Sequence, residues 1–362
     1  MKQHRIVIAG GGTGGHLYPG IAVARELRRR LPEAVVTFAG TEKGIESRVV
    51  PREGFELDLL RSAGLKAMSP AAVIRGVSIL PLSGIDAWRI VSRRRPHLVI
   101  GVGGYSSGPV VLLAALRRIP TLLLEQNAVP GFTNRSLAPF IGAAAVTFES
   151  TVVYFGRRGF VTGNPVRPEF FDTTAASAPT DGPPRILIFG GSQGAHAINM
   201  AMVEAAPRLA AFHGGVAITH QTGERDLEHV RNGYRAAGLE ARVEPFLYAM
   251  DREMKAASLV ICRAGATTIA ELTASARPSV LIPLPTAADD HQRKNAEVLV
   301  AAGAAELLSQ KDMTGDRLAE RITTLAADRA RLSAMSDRAR RLAKPDAARL
   351  IVDRALELLE QQ

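Results

Sequence analysis

The sequence predicts an α/β protein made of two Rossmann-like parallel-sheet halves that face an interdomain cleft, and three observations predict it. "RIVIAGGGTGGH" starts at residue 5 and "RILIFGGSQGAH" at residue 185; the two align without a gap, sharing an arginine, two isoleucines, three glycines and the last histidine. Each half then alternates short apolar runs with helical stretches: "HLVIGVGG" and "PTLLLEQN" in the first, "VAITHQTG", "ASLVICRAG" and "PSVLIPLP" in the second. Such alternation implies parallel sheets, whose ligands sit beyond the carboxyl ends of the strands. Between the halves, "TTAASAPTDGPP" (173–184) is poor in large apolar residues and reads as linker. The domains are drawn at 1–163 and 185–340, with 164–184 joining them.

In the first half, Ile6 to Ala9 read as a buried strand and "YPGIAVARELRRR" as a helix, with Gly10, Gly12 and Gly15 spelling G-x-G-x-x-G between them. A strand, a glycine loop and a helix make a phosphate cradle, because loop amides and the positive end of the helix dipole face an anion. A dinucleotide site also needs an acid at the end of the second strand. That strand, "AVVTFAGT", ends in Gly40 and Thr41, and Glu42 lies past the position. The loop therefore points to phosphate more firmly than to NAD, although an NAD-binding oxidoreductase stays open.

Composition narrows the class. The 362 residues, 46% hydrophobic and 22% charged, are those of an ordinary globular protein. One cysteine, Cys262, allows no internal disulfide and no multi-cysteine metal site. No apolar run has the ~18 residues of a spanning helix and "MKQHRIVIAGGG" enters a strand at once, so a cytoplasmic location is expected. The net charge of +10 suits an anionic membrane surface or phosphorylated substrates, while arginine-rich solvated helix faces such as "RELRRR" explain it equally well. Nucleic acid is not expected: aromatic residues are only 5% and no binding motif is present.

Further motifs follow in chain order. "VGGYSSGPV" (102–110) brings Gly103, Gly104, Tyr105 and Ser106 to a strand end, and "LEQNAVPGFTNR" (124–135) brings Glu125, Gln126 and Asn127, groups able to hold sugar hydroxyls or phosphate oxygens. "GGSQG" (190–194) fits a diphosphate loop with Ser192 donating; it also matches the G-x-S-x-G nucleophile elbow, for which only Asp251 and His291 could be nominated. "CRAGATTIAEL" (262–272) reads as a helix entered through Thr267 or Thr268, with Glu271 in its first turn either complementing the dipole or accepting from a ribose diol. "TAADDHQRKNAE" packs Asp289, Asp290, His291 and Gln292 together, a hydroxyl-binding loop rather than a metal site. In "AAVIRGVSILPLSGIDAWRIVSRRRP" (71–96), Val73, Ile74, Val77 and Leu80, then Leu82, Ile85 and Trp88, carry apolar bulk beside arginines. Ile79, Leu82, Ile85 and Trp88 make a candidate patch for an anionic membrane, with core packing as the alternative.

Seven ordered stretches, "GGGTGGHLYPG", "GVGGYSSGPV", "EQNAVPGFTNR", "GNPVR", "FGGSQGAHAIN", "CRAGATTIAEL" and "DDHQRKNA", resemble the MurG-type transferases from the first loop to about residue 310. The resemblance implies a GT-B architecture, with residues 341–362 returning to the first domain. It also implies inverting transfer of N-acetylglucosamine from UDP-GlcNAc to the C4 hydroxyl of the muramoyl sugar of lipid I, giving lipid II. It assigns Ser192 to the donor diphosphate with Arg167 balancing charge, Glu271 to the ribose, backbone near Leu247 to uracil, Gln292 and His291 to the sugar, and Thr267 to UDP-GlcNAc binding. Thr13, Gly14, Gly15 and Asn127 reach the donor sugar from the first domain, and Gly103, Gly104, Tyr105 and Ser106 hold the acceptor diphosphate. His291 departs from the family, which often has glutamine there.

Such transfer needs a base at the acceptor hydroxyl and stabilisation of departing UDP, which a helix N-terminus and an arginine provide with no metal or other cofactor. His16 is the expected base and Glu125 the reserve, since imidazole titrates near neutral pH. The expected partners are UDP-GlcNAc, lipid I, an anionic membrane and other cell-wall synthesis and division proteins, at the cytoplasmic face of the plasma membrane. A peripheral membrane protein without catalysis is the remaining alternative.

Overall fold

The computed structural model describes residues 3–62, 70–172, 182–191 and 194–361, with the side chains of 70–79 left out. It divides into two compact units, Met1–Val166 with Lys344–Gln362, and Arg167–Ala343.

The first unit runs β1 (Arg5–Ala9), α1 (Gly14–Arg30), β2 (Val35–Gly40), α2 (Glu46–Arg52), β3 (Glu56–Leu59), α3 (Pro70–Arg94), β4 (Leu98–Gly101), α4 (Ser107–Leu116), β5 (Thr121–Glu125), α5 (Phe132–Leu137), β6 (Ala143–Val146) and β7 (Gly159–Val161). Among the described residues its strands form one sheet in the order β3-β2-β1-β4-β5-β6-β7, every pair parallel. The order reverses between β1 and β4, so the loops leaving those two strands flank the crevice where such sheets bind ligands.

α1 starts at Gly14, four residues before the stretch read as helical, because the Thr13 carbonyl already accepts from the His16 and Leu17 amides. Pro19 is tolerated so near the start, where its missing N–H removes one early bond. The arginines at the other end stay within the unit: Arg28 stacks 3.9 Å from the Phe55 ring centroid, Arg29 pairs with Glu26, and Arg30 with Asp353. This run is a helix end whose cations also suit the negative end of the dipole.

The second unit carries β8 (Arg185–Phe189), α6 (His196–Ala210), β9 (Ala217–Gln221), α7 (Leu227–Ala236), β10 (Ala241–Glu244), α8 (Met250–Ala256), β11 (Leu259–Cys262), α9 (Ala266–Ala274), β12 (Ser279–Leu281), α10 (His291–Ala301), β13 (Ala305–Leu307), α11 (Gly315–Ala327) and α12 (Arg329–Leu342). Its sheet, β10-β9-β8-β11-β12-β13, is again parallel among the described residues, with the reversal between β8 and β11. The last helix, α13 (Ala347–Glu360), belongs to the first unit and packs on α1.

Candidate functional site

In the first unit the glycine loop after β1 is tied to its surroundings before it can meet any ligand. Gly10 N–H donates to the Ala39 carbonyl (2.9 Å), Gly11 N–H to the Gly103 carbonyl (3.4 Å) and Gly12 N–H to Glu46 Oε2 (2.7 Å). The expectation that all these glycines present amides to a phosphate is therefore corrected: the three before Thr13 already have protein acceptors. Glu46 is fully buried, and its other oxygen accepts from the Thr41 amide and hydroxyl, both at 2.8 Å. A Cβ on Gly11 or Gly40 would stand 2.6 Å from the Glu46 side chain, so those positions are glycine by packing.

His16 lies on the first turn of α1, where its Nδ1 is 3.0 Å from Gln126 Oε1, at the end of β5. Burial holds the imidazole pKa below its ordinary 6.5, against hydrogen bonds to Gln126 and the Val102 backbone that pull it up. Gly103 sits against the ring in the left-handed region (φ +90°), where a Cβ would approach His16 Nδ1 to 2.9 Å. Gly104 and Tyr105 continue that loop, and Ser106 caps α4 by position, its side chain making no cap hydrogen bond. Thr13 with the first-turn residues Gly14, Gly15 and His16 of α1, and the loop Gly103 to Ser106, thus follow β1 and β4 on the two sides of the reversal.

Glu125 is buried and its oxygens are taken: Oε1 accepts from the Asn127 amide (3.0 Å) and side chain (3.4 Å), Oε2 from Gly131 N–H (3.1 Å) and Asn134 Nδ2 (2.9 Å). Burial pushes its carboxyl pKa up against those four donors, so its visible work is to fold the loop that carries Asn127.

In the second unit the β8 loop has the same place, but Ser192 lies outside the described residues. Around it, Gly194 is held in the left-handed region (φ +73°) with its Cβ position 1.8 Å from the Thr222 carbonyl, which no other residue could occupy. Gln221 joins two loops: its Nε2 donates to the Gly191 carbonyl (2.8 Å) and its Oε1 accepts from Leu247 N–H (2.8 Å).

Behind the loop runs a polar chain, exposed at His196 and buried from Asp226 to Tyr234. His196 Nδ1 donates to Asp226 (3.0 Å), Asn199 Nδ2 donates to Asp226 (2.8 Å), and Asn199 Oδ1 meets His220 Nε2 (3.1 Å), whose Nδ1 meets the Tyr234 hydroxyl (2.7 Å). Burial drives His220 down to about 3, so it is neutral and its Nε2 donates while its Nδ1 accepts.

Glu271 corrects the sequence reading. α9 begins at Ala266 behind Gly265, not at Thr267 or Thr268, so Thr267 falls in the first turn and Glu271 in the second. No acidic residue lies in that first turn, which removes the dipole explanation. Burial instead raises the Glu271 carboxyl to about 7, opposed by the Arg167 charge. Gln292 Oε1 accepts from Leu284 N–H (3.0 Å) and Ala264 N–H (3.3 Å), joining the loops after β11 and β12. His291 Nδ1 donates to the Ala288 carbonyl (2.7 Å), and Asp290 pairs with Arg293. Asp289, Asp290 and His291 therefore do not converge, and among the described residues no group of three or more His, Cys, Asp or Glu could hold a metal ion.

On α3, which continues through Pro81, Leu82, Ile85 and Trp88 are 38%, 46% and 55% exposed. The side chain of Ile79 lies outside the described residues. The adjacent α4 adds exposed Leu112 and Leu116, which sequence reading missed, and Arg117 lies 5.9 Å from the Trp88 ring centroid. Among the described residues no helix is long and apolar enough to cross a membrane.

Comparison with known proteins also finds two halves in the chain. Residues 6–146 match the model of the glycosyltransferase family 28 N-terminal domain, and residues 185–351 match that of its C-terminal domain. The chain belongs to glycosyltransferase family 28. This family-28 chain is 46% identical over 359 residues to an Anaeromyxobacter sp. (strain Fw109-5) protein named UDP-N-acetylglucosamine--N-acetylmuramyl-(pentapeptide) pyrophosphoryl-undecaprenol N-acetylglucosamine transferase, covering 99% of this chain and 94% of that one. A Pelobacter propionicus protein of the same name is 46% identical, covering 97% of this chain and 99% of its own length. Among solved structures, the crystal structure of Acinetobacter baumannii MurG is similar with a TM-score of 0.79 and 32% identity, covering 99% of this chain and 100% of that one. The two parallel-sheet Rossmann-like domains are the GT-B architecture.

Proposed function

We propose that this chain transfers N-acetylglucosamine from UDP-GlcNAc to the C4 hydroxyl of the muramoyl sugar of lipid I, with inversion at the anomeric carbon, to give lipid II for peptidoglycan synthesis. The observation that carries this reading is 46% identity along nearly the whole chain to relatives named for that transfer.

The second unit is the donor side. Ser192, the β8 loop and the start of α6 meet the diphosphate, where a helix N-terminus favours negative charge, and Arg167 adds a cation for the departing UDP. Glu271 accepts from the ribose hydroxyls, with Thr267 nearby on α9. The Leu247 amide is already bonded to Gln221, so the Leu247 carbonyl is the group that accepts from uracil. Gln292 and His291 take the sugar hydroxyls.

The first unit is the acceptor side. Gly103, Gly104, Tyr105 and Ser106, at the start of α4, hold the acceptor diphosphate. His16 removes the proton from the C4 hydroxyl as its oxygen attacks the anomeric carbon and the bond to the UDP oxygen breaks. Thr13, Gly14, Gly15 and Asn127 contact the donor sugar, and Glu125 shapes the Asn127 loop in place of acting as base. Leu82, Ile85 and Trp88, with Ile79, rest on the anionic cytoplasmic face of the plasma membrane, which holds lipid I; other cell-wall synthesis and division proteins are partners there. Incubation with labelled UDP-GlcNAc and a lipid I analogue in detergent should move the label to lipid; its absence overturns the assignment.

A further inference from the structure

We infer that Gln126 is a positioning residue that fixes the proton of His16 on Nδ1 and so keeps Nε2 as the atom that receives the acceptor proton. The inference rests on reading His16 as the base.

It follows from which groups are able only to accept. Gln126 is 2% exposed, so its amide must find partners inside the unit. The Val102 carbonyl has no hydrogen to give and lies 3.1 Å from Gln126 Nε2, which fixes that end of the amide as the donor. The opposite arrangement would face two carbonyl oxygens at that distance. Oε1 therefore points at His16 Nδ1, 3.0 Å away, and an amide oxygen also only accepts. Nδ1 must then carry the hydrogen, and a neutral imidazole has only one. Nε2 keeps its lone pair.

Gly103, with no Cβ, lets the ring lie against the β4 loop, where a Cβ would stand 2.9 Å from Nδ1. The nearby carboxylates do not compete for the ring: Glu125 is bonded to Asn127, Gly131 and Asn134, and Glu46 to Gly12 and Thr41. During transfer the C4 hydroxyl proton passes to Nε2, giving an imidazolium whose Nδ1–H remains on Gln126. The new C–O bond forms as the bond to the UDP oxygen breaks, and the imidazolium then returns its proton to solvent.

The test uses the full chain labelled with 15N-histidine, with His16 identified by comparison with His16→Gln. Long-range 15N–1H correlation should show Nδ1 protonated and Nε2 bare at pH 8; a protonated Nε2 there overturns the inference without any variant. Gln126→Met removes the acceptor and should mix the tautomers, lowering kcat by roughly 10–100-fold with donor KM little changed. Gln126→Glu places a carboxylate on Nδ1–H, favours the imidazolium and should move the acid limb of kcat up by about one pH unit. A tautomer and acid limb unmoved in both variants overturns the inference. If the tautomer responds to Gln126→Met while His16→Gln keeps its turnover, the assignment of the proton is supported and the reading of His16 as base is the one that fails.

Discussion

Glu46 and Gly12 meet at 2.7 Å, a buried carboxylate on α2 receiving the amide of the first glycine loop. Two neighbouring loops are held by this one side chain, since the Thr41 amide and hydroxyl bond its other oxygen. Removing it strands buried donors, each costing ~1–3 kcal/mol. Glu46→Ala should lower the melting temperature by roughly 5–10 °C in calorimetry. A shift under one degree would mean that the loops hold themselves.

His16→Ala should reduce kcat by about 10²–10⁴-fold, the usual worth of a general base, while donor KM stays within a few-fold. Because burial holds this imidazole below its ordinary 6.5, the acid limb of the wild-type kcat should have its midpoint below pH 6.5. Turnover near normal in the folded variant removes His16 from the chemistry.

The carboxyl of Glu271, at about 7 in place of 4.5, titrates within the working range. Its ribose-accepting form is the carboxylate, so UDP-GlcNAc KM should rise as pH falls from 8 to 6, and Glu271→Gln should be weak and flat across that range. The stability effect has the opposite sign. A folded pKa raised above the unfolded one means that stability is lost as pH rises from about 4.5 to 7, and the cost is complete above 7. Glu271→Gln should therefore melt higher than wild type at pH 8 and at the same temperature at pH 4.5. An equal change at both pH values would separate the carboxyl from this behaviour.

Ile85 and Trp88 are about half exposed, so replacing both by serine should leave circular dichroism and melting unchanged. Flotation with anionic vesicles should fall at least about tenfold, from the loss of ~1.4 kcal/mol or more of apolar insertion. Unaltered flotation would move the membrane contact elsewhere.

The parts of the fold visible in the sequence are those set by neighbours along the chain. The β1 and β8 loops announce themselves because a buried strand, glycines and a helix start lie within about a dozen residues. Glu46 was invisible because Gly12 is 34 positions away, and nothing local says that a carboxylate in α2 will be buried. Gln126 was seen at a strand end, but its meaning depends on His16, 110 residues earlier. The start of α9 was misjudged because Gly265 takes the cap position without a side-chain bond, leaving no hydroxyl signal for the helix start. The Asp226 to Tyr234 chain likewise draws on β9, α6 and α7, whose meeting only the sheet order decides.

α13 places Ile351, Val352, Ala355, Leu358 and Leu359 in the same core as Ile6, Ile8 and Ile100 of β1 and β4. Along the chain β1 leaves the ribosome well before α13, with the whole second unit between them. The first unit therefore cannot close its core until α13 has followed the second unit out, while the second unit has every strand in hand before then. In the cell the amino-terminal unit has the longer wait with apolar surface open, and there a chaperone or a protease has the most time to act.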